Sequence, residues 1–326
     1  MVPYKGYPET AIEGCCEVAA MLPGAILRFR LEPWNRPRNR NMLAFFRDKM
    51  EREMTEPGKV RRLAVITGAS SGLGTEFARL AAADGFETLL IARRVDRLHA
   101  LAGELKEKYG VEAHVLGFDL TEPDAPGRVM EALDSIGLVP EVLVNNAGFG
   151  AFGPALDMDP ARLRRMLELN AGALTELSLR IGREMRDMGR GRIMNVASTA
   201  AFQACPFLGV YGATKAYVLS FTEALAEELR ETAVTATAFC PGPTRTEFGD
   251  AAGLAKENTF DLCELESAER PADVAARTGW EGMKAGRRIV IDGWGNRVIA
   301  CLAWALPRGI VSRLAAFVLK RLKTES

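Results

Sequence analysis

Tyr211 and Lys215, in the run YGATK, have the types and the spacing to move a proton. Residues four apart share one face of a helix, so a phenol stands beside an ammonium. The nearby cation favours phenolate, which predicts a Tyr211 pKa drawn down toward neutral pH. A tyrosine tuned in this way gives a proton to a carbonyl or takes one from an alcohol. The pair alone says little, because a half-buried tyrosine and a solvated lysine on an amphipathic helix have the same spacing. Its meaning depends on what lies upstream.

Upstream is TGASSGLG, from Thr67 to Gly74, with Ser70, Ser71 and Leu73 among the glycines Gly68, Gly72 and Gly74. A strand-to-helix turn free of side chains lets backbone N–H groups approach a pyrophosphate, and the helix N-terminus adds partial positive charge. The loop is in the required context, since an apolar run precedes it and a helical pattern follows. The strands read from the sequence are Leu63–Thr67, Thr88–Ala92, Ala113–Phe118, Val142–Asn145, Arg192–Ala197, Thr235–Phe239 and Arg288–Ile291. Each is short and apolar throughout, as a strand buried on both faces must be. Helical stretches fall near 73–84, 95–109, 124–136, 160–188, 209–231 and 271–284. This alternation predicts an α/β, Rossmann-type doubly wound parallel sheet of about seven strands with helices on both faces. Ligands in such sheets sit at the carboxyl ends of the strands.

The spacing T-G-x-x-x-G-x-G, together with NNAG at Asn145–Gly148, Ser198 and YxxxK, resembles the short-chain dehydrogenase/reductase family over roughly residues 61–292. The resemblance implies Tyr211 as general acid/base and Lys215 as its electrostatic partner and a ligand of the nicotinamide ribose. It implies that Ser198 holds the substrate oxygen and that Asn170, in LELNAGA, completes a proton relay through water and Lys215. Thr67 to Gly74 then hold the pyrophosphate, and Asp119 and Leu120 contact the adenine. Asn146, Ala147 and Gly148 line the adenosine ribose. Pro241, Gly242, Thr244 and Thr246, in PGPTRT, cover the nicotinamide. An NAD-preferring relative would carry an acidic residue after the second strand. This chain has Arg93 and Arg94 there, and a guanidinium can clamp a 2′-phosphate, so NADP(H) is the expected cofactor. The implied activity interconverts a ketone or aldehyde with an alcohol. Two alternatives are a dinucleotide-binding scaffold without turnover, which usually lacks Tyr, Lys or Ser, and a sugar-nucleotide epimerase, which would show different glycine spacing.

Composition sets the outer bounds. The chain has 326 residues, 48% hydrophobic and 26% charged, with 42 basic and 42 acidic side chains. Zero formal net charge argues against nucleic acid as a bulk partner. Cys15, Cys16, Cys205, Cys240, Cys263 and Cys301 form no CxxC, and histidines occur at His99 and His114 alone, so no metal site is expected. Scattered thiols suit a reducing cytosol. The apolar stretch Val18–Leu27 has acid before it and arginine after it, opposite to a secretory leader.

Three regions are expected: an extension over 1–60, a catalytic domain over 61–295 and a basic amphipathic tail over 296–326. In the tail, Val298–Leu306 is apolar and the charges from 297 to 323 are all basic. Such a tail either touches an anionic membrane surface or packs on protein. A lid over roughly 247–268, with Phe248, Leu254, Phe260, Leu262 and Leu265, joins Phe149, Phe152, Phe202, Phe207 and Leu208 to suggest a hydrophobic substrate, steroid-like or acyl-chain. Family members commonly pair through the helices near 160–188 and 209–231, so a homo-oligomer, dimer or tetramer, is implied.

Overall fold

The computed structural model describes residues 61–252 and 270–321. Seven parallel strands form one sheet in the order β3-β2-β1-β4-β5-β6-β9. They are β1 Leu63–Thr67, β2 Glu87–Ala92, β3 Ala113–Gly117, β4 Pro140–Asn145, β5 Gly191–Val196, β6 Val234–Cys240 and β9 Ile289–Ile291. The intervening helices are α1 Gly72–Ala83, α2 Val95–Tyr109, α3 Ala125–Ile136, α4 Pro160–Leu167, α5 Leu174–Asp187, α6 Gly209–Glu228 and α8 Ala272–Lys284. The expected doubly wound architecture is therefore present.

Strand β1 shows why both faces need helices. Its five residues are all buried, and successive side chains point to opposite faces. Ala64 and Ile66 join Phe77 of α1, Leu98 and Leu105 of α2 and Trp280 of α8. Leu63 and Val65 join Val129 and Leu133 of α3 and Ile181 of α5. Each fully buried Leu or Ile contributes roughly 1.5–3 kcal/mol to keeping these layers closed.

The structure departs from expectation in four places. Strand β3 is half-exposed rather than buried on both faces, because it ends the sheet. The single helix expected over 160–188 is broken by a π-turn at Glu168–Ala173, between α4 and α5. Helix α6 stops at Glu228, short of 231. A two-residue parallel pair, β7 Thr244–Arg245 with β8 Arg270–Pro271, joins the two roots of the predicted lid. Between them stands a short helix, α7 Phe248–Ala252. The extension over 1–60 and the lid residues Leu254, Phe260, Leu262 and Leu265 lie outside the described residues. The tail forms α9 Trp294–Ala305 and α10 Arg308–Arg321.

Candidate active site

All the motifs gather at the carboxyl ends of β1, β2, β4, β5 and β6. The glycines of the first loop are sterically required. Gly68 and Gly72 have φ of +68° and +56°, a backbone conformation that glycine adopts without strain. A Cβ on Gly74 would lie 2.1 Å from the Gly68 carbonyl oxygen. Helix α1 starts at Ser71 without a side-chain cap, so its first N–H groups face outward from a bare loop. This cradle fits a pyrophosphate.

The loop is held from behind. Thr67 Oγ1 accepts from the backbone N–H of Asn146 at 2.9 Å and of Ala147 at 3.0 Å. The Asn146 side chain donates to the carbonyls of Thr67 at 3.0 Å and Gly68 at 3.3 Å. These bonds tie the end of β1 to the end of β4, so Thr67 and Asn146 shape the crevice. Leu120 is buried and packs in the core, so its side chain is structural.

Of the arginine pair, Arg94 reaches the cradle and Arg93 meets Asp119. Arg94 donates to Ser70 Oγ at 3.1 and 3.2 Å and to Ser71 Oγ at 2.7 Å. Arg93 is exposed and stands 3.6 Å from Asp119, whose carboxylate accepts two bonds from Thr121.

The candidate proton-moving group is buried. Tyr211 and Lys215 share α6, and the Lys215 ammonium lies 5.7 Å from the centre of the Tyr211 ring. Lys215 Nζ donates to the Val196 carbonyl at 2.8 Å. Ser198, just past β5, accepts from the Ala200 N–H at 3.1 Å. Asn170 sits in the π-turn, fully buried. It donates to the Phe149 carbonyl at 3.0 Å and to Thr214 Oγ1 at 3.1 Å, and accepts from the Phe149 N–H at 3.1 Å. Gly148 keeps space between the two groups: a Cβ there would stand 3.0 Å from Asn170 Oδ1 and 3.6 Å from Lys215 Nζ. The π-turn rotates Asn170 inward, which a regular helix period does not foretell.

The expected downward shift of Tyr211 is corrected. Burial pushes its pKa up to about 12, against a smaller opposite pull from the Ser198 hydroxyl. Burial likewise brings Lys215 down to about 8. Loss of water is the largest cause for both groups. Tyr211 is therefore protonated at neutral pH.

Phe149, Leu208 and Phe248 pack around Tyr211, and Phe152 meets Phe207 at 6.0 Å between ring centres. Phe202 does not join them; it packs into the core with Leu174, Val218 and Leu219. Pro241 accepts from the Thr199 N–H at 3.0 Å, which fixes the PGPTRT loop beside Ser198. Thr244 Oγ1 bonds the Gly242 carbonyl at 3.0 Å, and the Gly242 backbone packs tightly on Asn296 of α9. Sequence reasoning passed over Glu247, which bonds Arg94 and Arg97 at 2.7 Å each. A charge between Thr246 and Phe248, at the start of the expected lid, was its available signal.

Fold, cradle and buried Tyr–Lys pair define a dinucleotide-binding oxidoreductase of the doubly wound class. A sequence profile described as short chain dehydrogenase matches residues 62–257. The chain belongs to that family. It is 33% identical over 191 residues to a diacetyl reductase [(S)-acetoin forming] of Staphylococcus epidermidis, covering 58% of this chain and 74% of that protein. It is 38% identical over 175 residues to a very-long-chain 3-oxoacyl-CoA reductase of Coprinopsis cinerea, covering 52% of this chain and half of that longer protein. Among solved structures, a short-chain dehydrogenase from Sphingobium yanoikuyae in complex with NADPH superposes with a TM-score of 0.67 at 29% identity, over 77% of this chain and 95% of that one.

Proposed function

We propose that this chain is an NADP(H)-dependent oxidoreductase that interconverts a hydrophobic ketone or aldehyde with its alcohol. The observation that carries the reading is Tyr211, buried on the same helix as Lys215, whose ammonium lies 5.7 Å from its ring, and hydrogen-bonded to the Ser198 hydroxyl. When bound, the dinucleotide supplies or accepts a hydride at the substrate carbon. Tyr211 gives its proton to the carbonyl oxygen, where charge develops, and Ser198 donates a hydrogen bond to the same oxygen. Lys215 stabilises the phenolate left behind. Asn170 holds the Phe149 loop against α6 and lies close enough to Lys215 to return a proton through water. Arg94, Ser70 and Ser71 form a donor set suited to a 2′-phosphate. The NADPH of the Sphingobium structure supports that cofactor. The aromatic wall around Tyr211 and the acyl-CoA relative support an apolar substrate.

The test is NADPH absorbance followed over ketones graded by chain length and ring count. Turnover is expected to rise with apolar size. Tyr211→Phe should abolish turnover and leave NADPH affinity within about twofold, since only the transferable proton is lost. NADPH binding without turnover of any ketone would point instead to a scaffold.

Two further contacts belong to this reading. In α9 and α10, Trp294 is 77% and Trp304 is 89% exposed, and Ile299, Leu302, Leu314 and Phe317 are also exposed. No Asp or Glu occurs from 293 to 324, while Arg297, Arg308 and Arg313 do. No helix among the described residues is long and apolar enough to cross a membrane. Apolar side chains rimmed by cations favour peripheral contact with an anionic bilayer. Flotation with anionic vesicles that Trp294→Ser plus Trp304→Ser removes would support it; equal flotation of both proteins would refute it. A recess of about 510 Å³ on α4, the π-turn, α5 and α6, lined by Leu167, Leu179 and Tyr217, suits a subunit contact. A monomer in sedimentation would overturn that pairing.

A further inference from the structure

Arg94, the side chain best placed for a 2′-phosphate, is already engaged by a carboxylate of its own chain. Its NH1 donates to Glu247 Oε2 at 2.7 Å, and its other nitrogens face Ser70 and Ser71. Arg97, in the first turn of α2, donates to Glu247 Oε1 at 2.7 Å. Glu247 is thus forked between two guanidinium groups. Their hydrogen bonds, Arg94 first, bring its pKa down to about 2, so it is an anion at any working pH.

The neighbours of Glu247 touch the rest of the site. A Cβ on Gly72 of the cradle would stand 2.9 Å from the Thr246 methyl. The Phe248 ring lies 5.3 Å from the Tyr211 ring, centre to centre. One three-residue stretch therefore spans from the phosphate end of the crevice to the proton donor.

We propose that Glu247 stands in for the cofactor's 2′-phosphate. In the cofactor-free protein it occupies Arg94 and Arg97 and draws Thr246–Phe248 down over the cradle and Tyr211. A phosphorylated dinucleotide takes the two arginines and releases that stretch. The inference rests on the NADP(H) reading above. Two anions on one guanidinium repel, so a phosphate competes with Glu247 for Arg94. The Glu247 side chain is half-exposed, and leaving an exposed ion pair for water costs little. A dinucleotide without the 2′-phosphate has nothing with which to displace it. Cofactor discrimination and access to Tyr211 become one equilibrium.

The opposite root of the same segment is fixed. Arg270 pairs with the buried Asp292 at 3.0 Å, and its N–H bonds the Pro243 carbonyl at 3.3 Å.

Calorimetry with 2′,5′-ADP and 5′-ADP on the full chain tests this without turnover. Glu247→Gln should tighten 2′,5′-ADP roughly two- to fivefold, the scale of one exposed ion pair, and leave 5′-ADP unchanged. Arg94→Met should weaken 2′,5′-ADP roughly tenfold or more. If Arg94→Met binds both ligands as the parent does, the NADP(H) reading itself fails. If Arg94→Met weakens 2′,5′-ADP but Glu247→Gln does not tighten it, the stand-in role is overturned and the cofactor reading stands. In a Phe248→Trp protein, 2′,5′-ADP should shift the indole emission and 5′-ADP should not. Unchanged emission, or an equal shift with both, would refute the link to Tyr211.

Discussion

At the amino end of the sheet, Arg62 meets Glu141 through two bonds of 2.7 and 2.9 Å, and Arg61 meets Glu87 through two of 2.6 and 2.9 Å. Nearby, Asp84 accepts from the Trp280 indole at 2.9 Å and pairs with Lys284 at 2.8 Å. At the carboxyl end, Lys215 faces a backbone carbonyl instead of a carboxylate, and Tyr211 is held neutral by burial. One end of each strand spends its polar groups on closing the fold. The other keeps a cation and a transferable proton under-satisfied, which is costly for folding and useful for chemistry. Because every strand is parallel, all the closed ends lie on one side and all the open ends on the other.

Substitutions at the open end should damage function, and those of the Tyr211–Lys215 pair should do so with little loss of stability. The largest effect is expected from Gly74→Val, whose side chain would enter the 2.1 Å gap to the Gly68 carbonyl. NADPH binding, read by fluorescence, should weaken roughly a hundredfold or more, as no backbone approach to the pyrophosphate remains. Binding near the parent level would break the comparison. Lys215→Met should lower kcat roughly 10²- to 10⁴-fold by removing the charge that stabilises the Tyr211 phenolate. Its urea midpoint should stay level or rise, since a buried cation facing a carbonyl is replaced by an apolar side chain of similar shape. The pH dependence sharpens this. Lys215 is held near 8, below its ordinary 10.5, so between those values the unfolded chain binds more protons and stability rises with pH. Tyr211, raised from 10 to about 12, acts in the opposite sense over that higher range. Lys215→Met should erase the first rise; a persistent rise would mean another group causes it.

The layered fold was readable because strand β1 and the glycine loop are local patterns tied to local geometry, and Tyr211 and Lys215 share one helix for the same reason. Helix α2 begins and ends at the predicted residues for the same reason. What the sequence hid depends on distance in space. The half-exposure of β3 follows from its place at the edge, which pairing order alone decides. The π-turn at Asn170 reflects its bonds to Phe149 and Thr214, on other elements. Arg93 and Arg94 are indistinguishable as letters, and only the position of Ser70, Ser71 and Glu247 separates them. The Tyr211 pKa went the wrong way because spacing reveals a neighbouring charge but not the loss of water around both groups.

Substitutions at the closed end should do the reverse. Hydrogen bonds from Arg62 hold the Glu141 carboxyl below its ordinary range. Glu141→Gln should cost about 1–3 kcal/mol in urea unfolding and leave NADPH affinity unchanged, because its partners lie at the amino end of the sheet. A cofactor defect without a stability loss would sink the division of labour between the two ends. The smallest effect is a pH trend at Glu87. Burial there favours the neutral acid, but hydrogen bonds from His114 and Arg61 outweigh it and bring the pKa to about 2 from 4.5. A carboxylate depressed in the fold adds stability that is complete above about pH 4.5 and is lost as pH falls toward 2. Glu87→Gln should therefore flatten the acid limb of the stability profile and leave the Lys215 limb on the alkaline side untouched. If both limbs change together, the two ends of the sheet are coupled.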